Sequence, residues 1–178
     1  MAKNTYGGGA QTNINGLKFE QETDLSTALL NCTGYSIQEH NVLFNNNPIA
    51  ILAPKNGLYS IILNRLEIDY TQFISKKLLP DEALLNLNNK TIYILEKKFQ
   101  QVAGSVDEKL QTCDFKKKQY QKLFLPQNIQ VEYIYILCDW FKQAKYTDSL
   151  NYIKSVGCDY FFNEIPLRRL GLPFESPK

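Results

Sequence analysis

The sequence predicts a mixed α/β fold, a central β-sheet flanked by helices, and three observations carry that reading. Residues 91–95 set Tyr93 and Leu95 on one face and Ile92 and Ile94 on the other, the pattern of a strand covered on both sides. Just upstream, Ala83, Leu85 and Leu87 alternate with Glu82, Leu84 and Asn86, which makes a second strand. Downstream, a helical rhythm is followed by VEYIYILC at 131–138, a strongly apolar strand. Strand, helix, strand implies a crossover, with the strand at 131–138 parallel to the one at 91–99.

The 178 residues suit one domain with a good core. Gly7, Gly8 and Gly9 sit in a polar arm, residues 1–15, expected to be flexible and lacking the GK[ST] of a phosphate-binding loop. From about Gly16 the stripe Leu17, Gln21, Leu25, Ala28, Leu29 and Cys32 predicts a helix ended by Gly34. Turn signals at 45–48 and 54–57 bound two short segments, 49–53 and 58–63, that read as strands or helical pieces. Ser105 and Glu108 form a capping box for a helix whose inner face carries Leu110, Cys113, Tyr120 and Phe124, broken by Lys117, and which Pro126 stops. Thr147 or Asp148 caps a further helix ended by Gly157, and residues 158–163 make a last strand.

The hairpin at 81–98 concentrates charge. Asn88 and Asn89 suit a tight turn. Pairing Leu87 with Lys90 sets Leu85 against Ile92, Ala83 against Ile94 and Asp81 against Glu96. Opposed carboxylates about 5 Å apart at Cβ repel, so a positive group is expected between them, and a divalent cation bridged by both, with Lys98 two residues on from Glu96, meets that need. Period two puts Lys98 on the face of Glu96 and Lys97 on the other. Hard oxygen donors of this kind favour magnesium or manganese over zinc.

Composition excludes several other chemistries. Cys32, Cys113, Cys138 and Cys158 are widely spaced without a CxxC, and His40 is the single histidine, which argues against zinc sites, disulfide frameworks, HNH nucleases and serine or cysteine triads. No apolar run reaches the ~20 residues of a membrane helix, and no signal core opens the chain, so the expectation is a cytoplasmic protein without membrane partners. A formal charge of +2 makes any nucleic-acid surface local, with Lys116, Lys117 and Lys118 as candidate DNA contacts.

Pro80-Asp81, a gap of fourteen residues and then Glu96-Lys97-Lys98 resembles the signature of the PD-(D/E)XK nuclease superfamily, to which most type II restriction endonucleases belong. The resemblance covers residues 80–163 in topology, as a catalytic core, and residues 80–98 in motif. It implies a magnesium-dependent endonuclease of double-stranded DNA, with manganese as a substitute, acting as a homodimer and leaving 5′-phosphate and 3′-hydroxyl ends. In that pattern Asp81, Glu96 and the Lys97 carbonyl hold the metal, Lys98 serves the attacking water, and Glu20 is the candidate for a first-helix glutamate near the metal. Two further readings share the sequence: a junction-resolving or repair nuclease with the same site, and a non-catalytic DNA-binding protein.

Overall fold

A computed structural model describes residues 22–101 and 106–174. Seven strands form one sheet in chain order: β1 (Tyr35–Gln38), β2 (Asn41–Phe44), β3 (Asn47–Pro54), β4 (Glu82–Asn86), β5 (Thr91–Lys98), β6 (Gln130–Leu137) and β7 (Asp159–Phe162). The first five pair antiparallel, whereas β6 and β7 add in parallel. Parallel neighbours need long connections, and helices supply them. Between β5 and β6 run α2 (Val106–Leu110) and α3 (Cys113–Phe124), and between β6 and β7 runs α4 (Thr147–Ser155).

The expected mixed sheet and the parallel alignment of residues 131–138 with β5 are both observed. Segment 49–53 falls inside β3, and Leu58–Leu63 is helical, wound as a π-helix. The single helix expected from about Gly16 to Gly34 is interrupted at Asp24. Asp24 is extended and accepts a hydrogen bond from Thr27 N at 2.8 Å, so it caps a separate short helix, α1 (Leu25–Leu30). Leu25 and Leu29 of the predicted stripe are buried there, Ala28 is exposed, and the arm at 1–15, Leu17, Glu20 and Gln21 lie outside the described residues. The long helix expected after Ser105 is broken at residues 111–112 into α2 and α3, and Ser105 also lies outside the description. For α4 the cap position is Tyr146, not Thr147 or Asp148.

The sheet separates two apolar layers. One face of β4, β5 and β6, with Ala83, Leu85, Ile92, Ile94, Tyr133 and Tyr135, packs under α3 and the π-helix. The other, with Leu84, Tyr93, Leu95 and Ile134, packs under α1 and the carboxyl-terminal residues Leu170 and Leu172.

Register in the β4–β5 hairpin is as the sequence predicts: Ala83 faces Ile94 and Leu85 faces Ile92. The turn differs. Pairing ends at Asn86 and Thr91, and the left-handed residue is Lys90 at φ 51°. Asn86 explains the change, because its Oδ1 accepts from both Asn88 N (2.9 Å) and Asn89 N (3.2 Å) and so closes a four-residue turn. Its Nδ2 donates to Leu170 O (2.9 Å) and Gly171 O (3.0 Å), and the residue is fully buried. One side chain therefore fixes both the hairpin turn and the carboxyl-terminal segment. Asn86→Ala should cost about 2–3 kcal/mol by leaving those groups unpaired, read as a lowered urea midpoint; a loss below about 1 kcal/mol would contradict this role.

Candidate functional site

Three elements bring the charged groups together. Asp81 sits one residue before β4, in the position opposite Glu96 that the hairpin register dictates. The segment before it is pinned at Leu78: the hydroxyls of Tyr59 (3.0 Å) and Tyr120 (3.1 Å) both donate to Leu78 O, and Leu78 N donates to Tyr59 Oη (2.8 Å). Asp81 Oδ2 then accepts from Lys97 N at 2.7 Å. The aspartate thus ends the ladder by receiving the next backbone donor in its own side chain.

Glu96 and Lys98 follow on the same face of β5. Lys98 Nζ lies 2.7 Å from Glu96 Oε2, 3.1 Å from the Lys97 carbonyl oxygen and 3.8 Å from Asp81 Oδ2. The ammonium of Lys98 thus lies beside both carboxylates, where the sequence reading expects a divalent cation. The other oxygen of Glu96, Oε1, receives Lys116 Nζ from α3 at 3.0 Å.

Glu96 is only 6% exposed in its side chain, yet it stays charged. Burial pushes its carboxyl up, but the Lys98 and Lys116 ammonium groups outweigh burial and hold it below its usual 4.5. The sign follows from that depression: the stabilisation Glu96 contributes is complete above 4.5 and is lost as pH falls through its lowered folded value.

Lys97 has a second role that the sequence reading left out. Its backbone carbonyl faces Lys98, while its side chain enters the opposite layer and sits 2.9 Å from Glu82 Oε2 as an ion contact. Glu82 Oε1 accepts from Leu25 N at 3.0 Å, which ties α1 to the hairpin. Burial lifts the Glu82 carboxyl above its usual 4.5, against the pull of the Lys97 ammonium. Because β4 pairs Glu82 with Leu95, Lys97 is its diagonal neighbour on the same face, so the signal lay in the register.

The three candidate DNA lysines point to three places. Lys116 contacts Glu96, Lys117 Nζ donates to Gly157 O at 2.5 Å, and Lys118 forms an exposed pair with Asp114 at 2.7 Å. Lys116 belongs with the site because it lies three residues after Cys113 and four before Tyr120, on the buried stripe of α3. Tyr120, Tyr133 and Tyr135 are buried on the same face, and their hydroxyl pKa values rise, first from burial and in each case also from the charge of Glu96.

As a donor set, Asp81, Glu96 and the Lys97 carbonyl offer three hard oxygens that already converge on one cation, which suits magnesium or manganese. Among the described residues no group of three His, Cys, Asp or Glu side chains gathers as a metal site; the set here is two carboxylates and a carbonyl. Glu20, the third carboxylate expected, lies outside the described residues. No family model, curated protein or solved structure significantly matches the chain.

The buried pair yields a stability prediction. Lys97→Met strands the Glu82 carboxylate and should cost about 3–5 kcal/mol, and Glu82→Leu together with Lys97→Met should cost clearly less than either of these single changes. Additive losses in a double-mutant cycle would contradict the pairing.

Proposed function

We propose that the chain is a magnesium-dependent endonuclease that hydrolyses phosphodiester bonds of double-stranded DNA, and specifically a type II restriction enzyme acting as a homodimer. The observation that carries this reading is the convergence of Asp81, Glu96 and the Lys97 carbonyl on a single cation. It is supported by the topology around them. A meander of β3, β4 and β5 puts Asp81 at the start of one strand and Glu96-Lys97-Lys98 at the end of the next, and helices then lead to a parallel strand. That arrangement agrees with the PD-(D/E)XK core that the motif resembles.

In this reading Asp81, Glu96 and the Lys97 carbonyl would hold the ion. A divalent ion bound there supplies Lewis-acid polarisation of the phosphate and a more acidic water. The protein's own groups position the rest. Lys98 Nζ orients the attacking water and offsets the negative charge that develops on the phosphorus oxygens. Lys116, with Lys98, keeps Glu96 ionised, and by engaging Oε1 it would leave Oε2 for the ion. Lys118, exposed and in a surface pair of little energetic weight, is available to turn toward a DNA phosphate. Cutting both strands of a symmetric site calls for two copies of the chain related by a two-fold axis.

Incubation with magnesium and a long linear duplex tests the reading. Discrete bands are expected; cleavage confined to branched substrates indicates a junction-resolving enzyme, and no cleavage of either indicates a binding protein. Asp81→Asn separates chemistry from folding, because its amide oxygen still accepts from Lys97 N while the charge is gone. It should melt near wild type and cleave at least about a hundredfold more slowly, since each tenfold is ~1.4 kcal/mol of barrier. A rate above about a tenth of wild type would rule out Asp81 as a metal ligand.

A further inference from the structure

We propose that the Lys98 ammonium is the resident cation of this site, and that a divalent ion binds by displacing it, so that the lysine becomes available to substrate only once the metal has entered. This rests on the metal-site reading above. Lys98 Nζ contacts Glu96 Oε2 at 2.7 Å and the Lys97 carbonyl at 3.1 Å, and lies 3.8 Å from Asp81 Oδ2. Those are the three oxygens that would ligate the metal. A magnesium ion about 2.1 Å from each donor and an ammonium among the same donors exclude one another sterically and by charge.

The neighbouring lysine does not share this conflict. Lys116 approaches from α3 and contacts Oε1, the far oxygen of Glu96. It keeps the buried carboxylate balanced after Lys98 has moved away. Lys98 has a way out: its side chain is 17% exposed and carries a flexible four-carbon stem, so its head can turn to solvent or to a phosphate without disturbing β5. Two lysines of equal charge thus flank one carboxylate, one competing with the metal and one compatible with it.

Competition of this kind weakens metal binding by the fraction of molecules in which the site is open. If the ammonium holds the donors in about nine molecules of ten, the apparent affinity is about tenfold below the intrinsic one. The measurement is manganese binding by titration calorimetry, without DNA and at fixed pH, for wild type, Lys98→Met and Lys116→Met. Methionine keeps most of the stem and removes the charge; Lys98→Gln repeats the test if Lys98→Met does not melt cooperatively. Lys98→Met should bind manganese at least about tenfold more tightly, whereas Lys116→Met should bind no more tightly than wild type. Binding by Lys98→Met where wild type shows none also supports displacement. Equal gains at both lysines would mean general electrostatics and overturn the proposal, as would no gain at Lys98 in a wild type that binds the metal, an outcome that leaves the nuclease reading standing. No manganese binding by any of the proteins would overturn both.

Discussion

The pairing register of β4 and β5 is the constraint on which the rest depends. Side chains alternate faces along a strand, so a slip of one residue would send Glu96 and Lys98 into the layer under α1 and bring Lys97 beneath α3. The register is held from both ends. At the turn, Asn86 closes residues 87–90 and grips the carboxyl-terminal segment; at the open end, Asp81 receives the Lys97 amide. Between them, Ala83, Leu85, Ile92 and Ile94 are buried on one face and Leu84, Tyr93 and Leu95 on the other, so neither face tolerates exchange.

That register also sorts the charges into two systems with different physical roles. Under α1, Glu82 and Lys97 form a closed pair with Leu25 N as a third partner, and both side chains are almost fully buried. Such a pair contributes alignment more than net stability, because desolvation cancels much of the attraction. Under α3, Glu96 meets two ammonium groups, and Asp81 and Lys98 remain partly exposed. The first system is sealed and the second has access to solvent, a difference that the proposed exchange of one cation for another requires. Lys97 belongs to both, its side chain anchored in one layer while its carbonyl serves the other.

Much of this was legible in the sequence because it depends on period two and on local spacing. The strand at 91–98, its register against 82–86, the placement of Glu96 with Lys98, the strand at 131–138 and its parallel alignment all follow from alternation and connection length. What was not legible depends on contacts distant in sequence. The hairpin turn is longer than the two residues expected because Asn86 acts through its side chain, which also has partners at Leu170 and Gly171. The helix expected from Gly16 is interrupted because Asp24, one more polar residue in a helical stripe, serves as a cap. Lys116 is expected among the DNA contacts, although its spacing from Cys113 and Tyr120 places it on the buried stripe; a lysine there is unfavourable unless a carboxylate waits opposite, and only the tertiary packing of α3 over β5 supplies one.

The central claim is that Asp81, Glu96 and the Lys97 carbonyl make one divalent-cation site. It is tested most directly by an anomalous difference map from crystals grown with manganese. The account predicts a peak about 2 Å from each of those three donors. A peak elsewhere on the chain, or none in crystals of either wild type or Lys98→Met while the three oxygens remain well ordered, would contradict it.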